Sequence, residues 1–107
     1  MVLRALLNTV KLVVEALTGL EVENVEVHTY AGRRLYVAVV KSSAREALEK
    51  WLRCAEEFKK MGLLVLPKWL GETDVTVDEL DEYLARLYTK LGIKIALEGV
   101  HIDLERE

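Results

Sequence analysis

The sequence predicts an α/β domain, a mixed β-sheet of about five strands flanked by helices, in the order α-β-β-α-β-α-β-β. Three observations carry that prediction. Apolar residues recur at helical spacing in three windows, two of which open on a Ser/Thr-x-x-Glu box. Between the windows lie strand-length runs that either alternate or are apolar throughout. Gly19, Gly32, Gly62, Pro67, Gly92 and Gly99 fall at the junctions, where chain breakers belong.

The first window, about Val2 to Leu17, sets Arg4, Asn8, Lys11 and Glu15 on one polar stripe. Leu3, Leu6, Leu7, Val10, Val13, Val14 and Leu17 cover the rest. A helix this apolar needs cover over more than half its circumference, from a sheet or from a second copy. Gly19 ends it, and Val22–Tyr30 alternates as a strand. Ala31-Gly32-Arg33-Arg34 then turns the chain into Leu35–Val40. With Gly32 and Arg33 as the loop pair, Glu26 faces Val39 and Asn24 faces Lys41. The second strand is apolar on both faces, as a central strand is.

Ser43 and Glu46 form a capping box for a helix whose stripe is Ala44, Ala47, Leu48, Trp51, Leu52, Ala55 and Phe58. Gly62 closes it. Leu63–Leu66 reads as a buried strand that Pro67 ends, and Lys68–Asp74 as a loop. Thr76 and Glu79 repeat the box, with Leu80, Tyr83, Leu84, Leu87 and Leu91 lining a helix that stops at Gly92. In the final segment Ile93, Ile95 and Leu97 alternate, Glu98-Gly99 turns, and Val100, Ile102 and Leu104 alternate back. All six fall on one face, with Lys94 opposite Asp103 on the other.

With 107 residues there is room for one core, so residues 1–107 read as a single domain. An apolar fraction of 51% against 31% charged excludes disorder. A net charge of −3 excludes a strongly basic wrapper of duplex DNA and leaves only local basic patches. One cysteine, Cys54, excludes a disulfide framework and a Cys-rich zinc site. Arg4, Lys11 and Glu15 interrupt Met1–Leu20 too often for a signal peptide or a membrane span. The expectation is a soluble, cytoplasmic protein with no membrane partner. Glutamine is absent and asparagine occurs only at Asn8 and Asn24, a composition expected of a thermophilic source.

Chemistry-bearing residues are few. His28 and His101 lack ligand partners at helical or hairpin spacing, so no metal site is expected. The six glycines are isolated, so there is no phosphate loop. Ser42 and Ser43 are explained by helix capping. Cys54 reads as a packed, inert thiol and Trp51 as core. Trp69, in Pro67-Lys68-Trp69-Leu70-Gly71, is a candidate contact residue.

From about Val25 to Gly71 the order is strand, tight turn, strand ending in a lysine, Ser-capped helix, buried strand. Within it stands Tyr36-Val37-Ala38-Val39-Val40-Lys41-Ser42-Ser43. This segment resembles the core of the PD-(D/E)xK nuclease superfamily, and is most similar to its archaeal Holliday-junction resolvase branch. The resemblance implies a restriction-endonuclease-like core followed by the last helix and hairpin. Lys41 matches the lysine of the acid-x-lysine strand and Glu26 the acid of the first strand. Glu15 matches an acid that some members carry on the first helix. Position 39, where the family has an acidic metal ligand, is Val39. Metal-assisted cleavage needs clustered carboxylates, so Mg²⁺ would serve here only if other ligands complete the site.

Two functional readings follow. In the first, the chain is a nuclease-like protein without catalysis, a structural or regulatory subunit in nucleic-acid processing. Arg33, Arg34, Lys41 and Lys68 are its candidate phosphate contacts, with DNA or a nucleic-acid-processing protein as partner. In the second it is a homodimeric protein–protein interaction module with no nucleic-acid activity, suggested by the apolar first helix and by the unpaired outer edge of the last hairpin. A plainer account of Lys41 and Glu26 is a strand end and a solvated carboxylate. Catalysis stays open: Glu15 and Glu26 with a further acid would make an enzyme with rearranged ligands, and Val39 weighs against it.

Overall fold

Two consecutive residues at positive φ, Ala31 at 51° and Gly32 at 75°, turn the chain between β1 (Val22–Tyr30) and β2 (Arg33–Val40). The computed structural model describes residues 2–92, with side chains from Ala5 onward. Besides that hairpin it contains α1 (Val2–Thr18), α2 (Ala44–Lys60), β3 (Val65–Trp69) and α3 (Val77–Leu91). The expected α/β architecture is observed as a three-stranded mixed sheet in the order β1-β2-β3, antiparallel between β1 and β2 and parallel between β2 and β3. The two strands expected between Ile93 and Leu104, and with them Lys94, His101 and Asp103, lie outside the described residues.

The hairpin register differs from the expected one. Its loop is Ala31-Gly32, one residue earlier than Gly32-Arg33, so Tyr30 pairs with Arg33, Glu26 with Val37 and Asn24 with Val39. Positive φ at both central residues is the signature of a type I′ turn, whose twist matches that of the strands. The slip is two residues, and side chains alternate with period two, so every residue keeps its expected face. An irregularity between Val22 and Asn24 then brings Val22 opposite Val40.

The strand after α2 also departs from expectation. Pro67 does not end it, because β3 runs on through Lys68 to Trp69. The Tyr36 N–H donates to the Leu64 carbonyl and the Leu70 N–H to the Val40 carbonyl. By alternation, residues 64, 66, 68 and 70 bond to β2 while 65, 67 and 69 point away. The missing N–H of Pro67 therefore costs no bond to β2. The Val65 carbonyl, which also points away, accepts from the buried Trp51 indole at 3.0 Å.

The helices form as the capping residues dictate. The Ser43 hydroxyl accepts from the Glu46 N–H, and Thr76 with Glu79 makes the complete reciprocal box. Val10 and Val14 of α1 join Leu48, Trp51, Ala55 and Phe58 of α2 in one buried cluster with Val25, Tyr36, Ala38, Val40 and Val65 of the sheet. The Cys54 thiol donates to the Leu17 carbonyl, which ties α2 to the end of α1. Leu12 on the outer side of α1 is 65% exposed. α3 lies beside α2 and runs in the same direction: Arg45 meets Glu79 where both begin, and Lys59 stands by Gly92 where both end. Among the described residues no helix is long and apolar enough to cross a membrane.

Candidate functional site

The sheet separates the expected site residues. Glu26, His28, Val37, Val39 and Lys68 share the face away from α1 and α2, as alternation from the helix-facing Val25, Ala38 and Val65 requires. Glu15 sits on the helix side, where its Oε2 accepts from the Val22 N–H at 3.1 Å. That bond makes Glu15 a staple between α1 and β1, with the sheet between it and Glu26.

Lys41 is held at the end of β2. Its backbone N–H donates to the Glu21 carbonyl, and its Nζ lies 3.1 Å from Glu21 Oε2. The hydrogen bond and charge of Glu21 push the Lys41 ammonium above the ordinary lysine value. Its partner is therefore Glu21, not Glu26. Asn24, expected opposite Lys41, faces Val39 instead.

Glu26 has two other neighbours. Its Oε1 lies 3.3 Å from His28 Nε2, and its Oε2 lies 3.8 Å from Lys68 Nζ. Beside this trio the sheet is apolar, with Val37 and Val39 only 3% and 4% exposed. One carboxylate, one imidazole and one ammonium over two valines make a mixed-charge cluster, in which the single acid is already engaged by His28 and Lys68. Among the described residues no group of three His, Cys, Asp or Glu side chains could hold a metal ion. Alternation along β1 puts Glu26 and His28 on one face. Reading Lys68–Asp74 as a loop missed the arrival of Lys68, which depends on the strand continuing past Pro67.

The four candidate phosphate contacts do not share a patch. Arg33 and Arg34 are exposed at the hairpin tip, whereas Lys41 lies eight residues further along β2, about 26 Å at strand rise. Lys68 is engaged with Glu26. Trp69 is half-buried and its indole donates to the Thr73 hydroxyl at 2.9 Å, which steadies the loop before α3. Cys54 is buried, and burial pushes its thiol above the ordinary value, which suits an unreactive packing residue.

The most connected polar cluster is one the sequence did not reveal. The Arg45 guanidinium contacts both Glu79 carboxylate oxygens at 3.2 Å and the Asp74 carbonyl at 3.2 Å. The Asp74 carboxylate accepts from the Arg45 N–H at 2.8 Å, and the Tyr83 hydroxyl donates to Glu49 at 3.1 Å. These bonds lock the starts of α2 and α3 together. The neighbouring hollow, about 160 Å³ and lined by Glu79, Glu82, Tyr83 and Arg86, falls short of the roughly 300 Å³ where small-molecule pockets begin.

No family model, curated protein or solved structure matches the chain.

Proposed function

We propose that this chain is a non-catalytic interaction module that works as a homodimer. One observation carries the reading: Glu15, Glu26 and Lys41 stand apart, each engaged by a local structural partner, with Val39 where a nuclease would need an acid. Surface suited to a partner is present, since Leu12 and Val27 are exposed in the middle of α1 and β1. Light scattering on the purified chain is expected to give twice the monomer mass at micromolar concentration. Incubation with four-way-junction, duplex and single-stranded DNA in Mg²⁺ is expected to give neither cleavage nor a gel shift. Cleavage abolished by both Glu26→Ala and Lys41→Ala would overturn the reading.

A second reading is favoured by the exposed Arg33-Arg34 tip and by the order β1-β2-α2-β3. It takes the chain as a nuclease-like subunit that binds nucleic acid without cutting it. Its mark is a gel shift without cleavage that weakens steeply as salt rises.

A further inference from the structure

β1 and β3 are the outer strands of the sheet among the described residues, and β1 is the longer. The two-residue turn makes Tyr30 and Arg33 a hydrogen-bonded pair, so residues 24, 26 and 28 also bond to β2. The N–H and C=O groups of Val25, Val27 and Thr29 therefore point outward, away from β2. Val27, at the centre of this outward set, is 36% exposed. An edge of this kind pairs readily with another strand unless charge or proline blocks it.

The charges around β1 specify which strand fits. Glu23 stands at its start beside the Glu21–Lys41 pair, Glu26 and His28 lie along it, and Arg33 and Arg34 open β2 just past its end. A parallel copy in register would set Glu23 against Glu23 and Glu26 against Glu26. An antiparallel copy about a two-fold axis at Val27 sets Glu26 opposite His28 twice and brings Glu23 to the end where the turn carries Arg33 and Arg34, the self-complementarity an isologous dimer requires.

We propose that β1 pairs antiparallel with β1 of a second copy of this chain, centred on Val27, joining the two sheets into one. Val27 then faces the partner's Val27 and Val25 faces the partner's Thr29, so all six outward groups on each strand are satisfied. On the face away from the helices Glu26 comes opposite the partner's His28, and the reciprocal contact repeats it. Glu23 reaches the partner's turn beside the partner's Arg33 and the partner's Arg34. The proposal rests on the reading of the chain as a self-associating module and names the surface that does it.

Directly opposed residues of a hydrogen-bonded pair have Cα atoms about 5.5 Å apart, inside the disulfide range of about 4.4–6.8 Å. Val27→Cys is therefore expected to cross-link as a dimer under mild oxidation. Thr29→Cys would sit about 14 Å from its own copy, four residues along the pairing, and is expected to stay uncrosslinked. The wild type, with Cys54 buried, is the background control. Val27→Pro removes an outward N–H without touching a bond to β2, and is expected to abolish the dimer in light scattering while leaving the far-ultraviolet circular dichroism unchanged. Should that variant fail to fold, the two cysteine variants decide the matter. A dimeric wild type with no Val27→Cys cross-link, or with equal cross-linking at Thr29→Cys, would overturn the surface and leave self-association standing. A wild type that stays monomeric at high micromolar concentration would overturn both.

Discussion

Ala31 occupies the left-handed region at φ 51°, where an L-residue other than glycine is strained by roughly 1–2 kcal/mol. The side chain is exposed, so replacing it loses no packing. Ala31→Gly should recover most of the strain less about 0.5–1 kcal/mol for the freer unfolded chain, a net gain of about 0.5–1 kcal/mol. Ala31→Asn builds the favoured Asn-Gly pair without that added freedom and should gain about 1 kcal/mol. With a urea slope near 2 kcal/mol per molar for a chain of this size, the midpoint should rise by about 0.3–0.5 M. Arg33 opens β2 in this register, so Arg33→Gly should lower stability by about 0.5–1 kcal/mol. The alternative loop, Gly32-Arg33, reverses both signs, since Arg33 would then carry the positive φ and Ala31 would lie in the strand. Urea titrations at one fixed protein concentration decide it. Destabilisation by Ala31→Gly together with stabilisation by Arg33→Gly would refute the register.

Trp51→Phe leaves the Val65 carbonyl without its indole donor and should cost about 1–3 kcal/mol. Trp51→Ala adds a cavity at a fully buried site and should cost at least about 3–5 kcal/mol; a Trp51→Phe loss near zero in urea titrations would show that the hydrogen bond contributes nothing. Gly71→Ala would place a methyl 2.6 Å from the Ser42 carbonyl oxygen and 2.9 Å from its carbon, so a destabilisation of about 1–3 kcal/mol is expected from thermal melts. The Arg45 N–H holds the Asp74 carboxyl below its ordinary value, and the Thr76 N–H with Arg45 does the same for Glu79. Both contribute stability that is complete above about pH 5, beyond the unfolded carboxyl values, and is lost as the pH falls through the lower folded values. Asp74→Asn together with Glu79→Gln removes both titrating carboxylates and should flatten that acid limb, measured as urea midpoint against pH, and a limb of unchanged slope would contradict the assignment.

The helices were legible because each carries its own boundary: Ser43 and Thr76 supply caps, Gly62 and Gly92 supply ends, and apolar spacing supplies the buried face. The central place of β2 was legible in Leu35–Val40, apolar on both sides and buried throughout. The turn was not, because alanine carries no signal for positive φ and Gly32 fits either register. β3 was misread at Pro67, since whether a proline ends a strand depends on which side its nitrogen faces, and pairing decides that. For the candidate site, alternation was enough to put Glu26 and His28 together. The Glu21–Lys41 pair was out of reach, because the irregularity after Val22 displaces the first residues of β1 from simple alternation.

That irregularity has a consequence for the whole chain. Val22 and Val25 are three positions apart, so in an even strand they would face opposite sides of the sheet. One extra residue at Glu23 lets Val40 and Ala38, two apart on β2, meet them both on the same side. Everything before Glu23 follows Val22, including Leu20 and α1. Removing that single residue would leave Val22 two positions from Val25, on the same face by simple alternation, so the irregularity would vanish and the first helix would keep its side of the sheet. The irregularity is thus a topological device: with Glu23 present, it is what assigns α1 to the layer it shares with α2.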